Sequence, residues 1–111
     1  MVHVGSVAGH SLHPGWSVYC ATKSAVAHPT GNPRAELGAR GVRVKNIEPG
    51  VTITELGHDM RDITLQTALA RTRTDLRPLT AEDIADTIAF AVSAPAHVNV
   101  AELAVVPVQP G

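Results

Sequence analysis

Three short runs suited to extended backbone alternate with stretches of helical periodicity: VHV near the start, VRVKNI at residues 42–47 and ELAVVPV at 102–108. This alternation limits the fold more than any other feature of the chain. Strands separated by helices build a parallel α/β sheet with right-handed crossovers. VHV already alternates apolar and polar residues, as a strand under way does. After the loop GHSLHPGW the pattern turns helical, with Ser17 expected as N-cap and Val18, Ala21 and Ala25 on one face. Pro29 and Pro33 interrupt it. Each removes a backbone donor and costs about 3 kcal/mol in a helix interior, and each also pushes the residue before it, His28 or Asn32, off helical angles. A kink or break between His28 and Pro33 is therefore expected before RAELGARG resumes the helix and Gly41 ends it. Residues 55–77 read as one or two exposed helices. Thr80 to Ala94 is the clearest helix: Thr80 and Asp83 resemble a capping box, Ile84, Ile88, Ala91 and Val92 form a stripe, and Pro95 closes it. ELAVVPV is expected to be a buried final strand.

Composition narrows the class. Apolar residues make up 44% of the 111 but aromatics only 3%, so the core must be built from Val, Ala, Leu and Ile. A chain of this length buries roughly two-thirds of its unfolded surface, enough for one domain or part of one. The net charge of −1, with both signs mixed and no basic run, argues against nucleic acid or an anionic membrane as partner. The single Cys20 forms no internal disulfide, which suits a reducing cytoplasm. Neither a membrane-spanning run nor a signal peptide is read in the sequence.

The chemistry concentrates around SVYCATKSA. Tyr19, the only tyrosine, precedes Lys23 by one helical turn, so both side chains fall on one face. A nearby positive charge favours phenolate over phenol, and a tyrosine tuned this way can pass a proton to or from an alcohol or carbonyl oxygen. An ordinary half-buried tyrosine beside a solvated lysine would read the same way. Ser6 lies at the carboxyl end of the first strand, where open α/β sheets bind ligands, and Gly5 and Gly9 allow a tight turn there. The second strand likewise ends in Pro49-Gly50, followed by Thr52 and Thr54. Taken singly, Ser6 and Pro49-Gly50 are ordinary turn residues. The order in which all of them occur makes the case.

In that order the sequence resembles the short-chain dehydrogenase/reductase family. VHVGSVAG, YCATK and VRVKNIEPGVTITEL resemble its catalytic-serine strand, its Tyr-x-x-x-Lys helix and its Pro-Gly loop. AEDIADTIAFAVSAPAHVNVAELAVVPVQ resembles its C-terminal helix and last strand. The resemblance implies a partial Rossmann-like, doubly wound parallel sheet, of which residues 1–111 supply the last three strands and their helices. It implies Ser6 as hydrogen-bond donor to the substrate oxygen, Tyr19 as general acid/base, and Lys23 as the group that tunes Tyr19 and binds the nicotinamide ribose. The cofactor-binding set is then Tyr19, Lys23, Pro49, Gly50, Thr52 and Thr54. The implied cofactor is NADP or NAD, with NADP ahead, and the substrate a small alcohol or carbonyl compound. Homo-oligomers built on the long helix are typical of the family, and here the two prolines fall in that helix.

The family's first half, with its glycine-rich phosphate fingerprint, has no counterpart. Gly31, Gly38 and Gly41 give neither G-x-G-x-x-G nor a Walker loop. A truncated, catalytically silent fragment that serves at most as a packing module is therefore the competing expectation. VHV would then expose a strand edge prone to pairing. His3, His10 and His13 lack the neighbouring Cys or carboxylate that would complete a zinc set, so no metal is expected. His10 and His13 are placed on the substrate loop or facing water, Cys20 as a small buried hydrophobe, and Arg71, Arg73 and Arg77 on a solvated face.

Overall fold

Residues Val44 to Glu48 are all buried, and they form most of the strand around which the chain is arranged. The structure, a computed structural model, describes residues 1–108. Gln109, the last residue of the segment resembling the family's final strand, and Pro110-Gly111 lie outside the described residues. Three parallel strands, β1 (Val2–Val4), β2 (Lys45–Pro49) and β3 (Glu102–Val105), form one sheet in the order β1-β2-β3. Their register pairs Val4 with Ile47 and Pro49 with Val105. Three α-helices connect them: α1 (Ser17–Gly38), α2 (Ile63–Asp75) and α3 (Ala81–Val92). This is the doubly wound α/β type expected from the alternation of strands and helices. Among the described residues no helix is long and apolar enough to cross a membrane.

The core is small and aliphatic, with Ala8, Val44, Ile47 and Ala91 buried. Polar side chains share it. Lys45, only 2% exposed, donates from Nζ to Asn99 Oδ1 at 2.8 Å and to the Val100 carbonyl at 3.3 Å. Arg43 spreads its guanidinium over the carbonyls of Val92, Ala94, Pro95 and Val98, at the carboxyl end of α3 and the turn beyond. Cations suit a helix C-terminus, where carbonyls lack intrahelical donors. At its other end α3 has the expected capping box: Thr80 Oγ1 accepts from Asp83 N, and Asp83 Oδ2 accepts from Thr80 N. These bonds hold the Asp83 carboxyl below its ordinary pKa.

Four expectations need correction. The helix does not break at the prolines. It runs from Ser17 to Gly38 through both. Pro33 still leaves the carbonyl four residues earlier without its usual donor, but packing holds the far half of α1 in place. Thr30 is buried and its hydroxyl donates to the Val26 carbonyl at 2.8 Å, while Arg34 Nη1 pairs with Glu102 Oε1 of β3 at 3.2 Å. Ser17 is not the N-cap. It is already helical, and Trp16 precedes it with no side-chain cap. β2 begins at Lys45 and not at Val42, because the turn that ends α1 uses the first residues of VRVKNI. There Gly41, at φ +76, donates to the Gly38 carbonyl and Val42 to that of Leu37, closing a Schellman motif. Finally, β3 is half-exposed. Leu103 and Val105 turn inward while Glu102 and Ala104 face out, as on an edge strand with one covered face.

Two measurements check this account. Pro33→Ala restores a helix donor and is expected to stabilise the chain by roughly 1–3 kcal/mol, seen as a higher urea midpoint; an unchanged or lower midpoint counts against it. The second concerns Lys45, whose pKa is lowered from 10.5 by burial and by the Arg43 charge. Between the lowered value and 10.5 the unfolded chain holds more protons than the folded one, so this group makes stability rise with pH across that window. Lys45→Met should flatten that part of the rise when urea midpoints are compared between neutral pH and pH ~10.

Candidate active site

The carboxyl ends of β1 and β2 open into a cavity of about 500 Å³, within the ~300–1,000 Å³ of small-molecule sites. Two backbone bonds set this end of the sheet: Gly5 N donates to the Ile47 carbonyl at 2.7 Å, and Gly50 N to that of Val105 at 2.7 Å. Ser6 and Pro49-Gly50 therefore leave adjacent strands side by side, and all three residues line the cavity. Ser6 also caps the 3-10 turn Val7–Gly9, accepting from Ala8 N at 3.1 Å through Oγ. Among the described residues its hydroxyl hydrogen has no acceptor.

Tyr19 and Lys23 reach the same cavity from α1. Lys23 Nζ stands 5.8 Å from the Tyr19 ring centroid and 3.5 Å from the Val4 carbonyl, so it bridges helix and strand end. Trp16 meets the Tyr19 ring edge to face, with centroids 5.7 Å apart at 76°, which fixes the ring's orientation. Thr52 and Thr54 complete the set. Thr52 Oγ1 donates to the Gly50 carbonyl at 3.0 Å, and the following segment is pinned where Ile53 N donates to the Leu79 carbonyl. Every sequence-derived candidate, Ser6, Tyr19, Lys23, Pro49, Gly50, Thr52 and Thr54, lines this one cavity.

Helix α2 covers it. Asp62 Oδ1 caps α2 by accepting from Thr64 N and Leu65 N, and Ala68, Leu69 and Thr72 present one face to the cavity. The cover fits closely, since a Cβ on Gly15 would lie 2.9 Å, and one on Gly57 2.7 Å, from leucine methyls of α2. His13 lines the cavity, as the substrate-loop placement anticipated. His10 instead donates from Nε2 to Glu48 Oε1 at 2.7 Å, an oxygen that also accepts from Asn46 Nδ2 at 2.7 Å.

Three residues escaped the sequence reading. Asn46 and Glu48 are buried under the Ser6 turn; polar residues inside a β-rich run were the available signal. Arg73 does not lie on a solvated face. It is half-buried and lines the cavity, with Nη2 donating to the Leu56 carbonyl at 3.0 Å.

The family model for the short chain dehydrogenases matches residues 1–64. The chain belongs to this family. Over 109 residues it is 43% identical to sulfoacetaldehyde reductase 2 of Chromohalobacter salexigens, covering 96% of this chain and 42% of that protein. It is 37% identical over 108 residues to serine 3-dehydrogenase of Agrobacterium fabrum, covering 97% and 43%. A serine dehydrogenase in closed form with NADP+ superposes at a TM-score of 0.87 and 33% identity, over 99% of this chain and 44% of the other. The chain thus spans less than half the length of the relatives it matches.

The contact between Gly5 and Asn46 places Ser6, and it can be tested. A Cβ at Gly5 would sit 2.7 Å from Asn46 Oδ1, a buried atom with no hydrogen-bond partner among the described residues. Gly5→Ala should therefore lower stability by about 1–3 kcal/mol, read as a lower denaturant midpoint. An unchanged midpoint would mean that Asn46 swings away freely.

Proposed function

We propose that this chain carries the alcohol–carbonyl site of an NAD(P)(H)-dependent oxidoreductase, with Ser6, Tyr19 and Lys23 as its catalytic residues. The convergence of these three side chains on one cavity at the carboxyl end of the sheet carries the proposal. The lining suits the nicotinamide end of the cofactor: the Lys23 ammonium and the hydroxyl oxygens of Thr52 and Thr54 are among the few polar groups of a largely apolar cavity. Lys23, Thr52, Thr54 and the Pro49-Gly50 backbone would hold that end, and NADP is preferred over NAD in line with the complex of the related serine dehydrogenase. When bound, the cofactor supplies or accepts the hydride.

The chain's own residues handle the oxygen and the proton. The Ser6 hydroxyl, with Oγ already accepting from Ala8 N, donates to the substrate oxygen and orients it. Tyr19 gives its phenolic proton to that oxygen in reduction and takes it back in oxidation. Lys23 stands beside the Tyr19 ring, its Nζ 5.8 Å from the ring centroid, and Trp16 packs edge to face against the same ring. Helix α2 lines one wall of the cavity through Ala68, Leu69 and Thr72. Sulfoacetaldehyde and serine, named in two relatives, are small molecules that combine an aldehyde or alcohol with an acidic group, and this supports a small alcohol or carbonyl compound as the substrate.

A second reading is a catalytically silent packing module. The chain's span of only 42% and 43% of two relatives' length supports it. One experiment separates the two. NADPH is titrated into purified monodisperse chain by calorimetry, and reduction of short aldehydes is then followed at cofactor excess. Affinity no better than millimolar, about −4 kcal/mol, is expected, because only the nicotinamide end finds partners. Slow turnover that Tyr19→Phe lowers by about 100-fold or more supports the enzyme. No turnover at any cofactor concentration leaves the silent module. Micromolar saturable binding would overturn the partial-cradle account.

A further inference from the structure

The lining of the cavity is one-sided in charge. Lys23 and Arg73 reach it, with His13 beside them, and among the described residues no Asp or Glu does. Lys23 already has work in the proposed reaction, next to Tyr19 and the cofactor ribose. Arg73 has none there. It stands on the last turn of α2, on a wall built by a different element from the one that carries Tyr19.

Its hydrogen bonds leave most of its charge unanswered. Nη2 donates to the Leu56 carbonyl at 3.0 Å and grazes Thr54 Oγ1 at 3.4 Å. Nε is buried and has no partner among the described residues. Nor does any carboxylate among those residues pair with Arg73. A guanidinium stays charged at every accessible pH and offers a planar fork that matches oxyanions. Drawing such a group partly out of water without a counter-ion is costly. In a half-open, largely apolar cavity this arrangement favours an incoming anion over a neutral molecule of the same shape. The two bonds from Nη2 also fix the guanidinium against the loop after Thr54, so it is held in place before any ligand arrives.

We propose that Arg73 is the specificity-determining residue of this cavity and binds the carboxylate or sulfonate of a small hydroxy or oxo acid. The other end of that substrate, its alcohol or carbonyl, lies at Ser6 and Tyr19. This assignment rests on the oxidoreductase reading for the chemistry at that second end, but not for the binding of the anion. A phosphate of the nicotinamide nucleotide has the same oxyanion chemistry, so the test must separate the two sources.

The probes are 3-hydroxypropionate, its neutral amide and nicotinamide mononucleotide. Each is titrated into the isotope-labelled chain while backbone amides and the Arg73 Nε–H are followed by NMR. The acid should bind at least about tenfold more tightly than the amide and move the Arg73 Nε–H resonance. Arg73→Met should erase that preference and Arg73→Lys should retain part of it. Equal binding of acid and amide by the unaltered chain overturns the proposal, as does binding of neither; both results need no variant. A preference that survives Arg73→Met in a folded variant overturns it as well. If only the mononucleotide moves Arg73 Nε–H, the arginine serves the cofactor and the proposal fails. Selective acid binding without turnover would remove the redox reading and keep this one, whereas turnover without acid preference would do the reverse.

Discussion

The hydrogen-bonded ladder on both sides of β2 is the constraint on which the rest of the molecule depends. Because β2 pairs in parallel with β1 and β3, the three strands end on the same side, and the loops leaving them meet there. Gly5 and Gly50 each extend the ladder by one bond beyond the strands. Ser6 and the Pro-Gly loop are thus positioned first by backbone pairing, and the Asn46 side chain packs close beneath Gly5. Long α1 then only has to cross that end to bring Tyr19 and Lys23 into the same space.

The portion of the site legible in the sequence is the portion set by local geometry. Tyr19 and Lys23 share a face because a helix repeats every 3.6 residues, and no tertiary contact is needed to predict it. Ser6 and Pro49-Gly50 were legible because each terminates a short β-rich run. Arg73 was not, because its place depends on how residues 51–62 fold back under α2; its bond to Thr54 spans 19 residues. Glu48 and Asn46 were hidden for a similar reason. Their worth lies in the partners they meet, His10 across 38 residues in one case and the open face of Gly5 in the other.

The prolines show tertiary structure overriding local preference. Propensity alone ends α1 near His28. The helix continues because its second half packs on the sheet, with Thr30 buried and Arg34 paired to Glu102 of β3. The exposed ion pair contributes little alone, so burial at Thr30 and the packing of α1 on the sheet must offset most of the cost. The opposite case is α3, where capping box, apolar stripe and terminating Pro95 all agree, and the helix forms as its sequence indicates.

Arg43 joins parts of the chain that are far apart in sequence. One side chain, on the residue next to buried Val44, collects carbonyls of Val92, Ala94, Pro95 and Val98, and its own carbonyl accepts from the Met1 amino group at 2.8 Å. The first residue, the central strand and the exit of α3 are therefore fastened at a single point. Segments tied in this way exchange their amide hydrogens through one shared opening and not by separate fraying. The edge of the fold opposite the cavity is thereby expected to behave as one cooperative unit, leaving the α2 cover free to open independently of it.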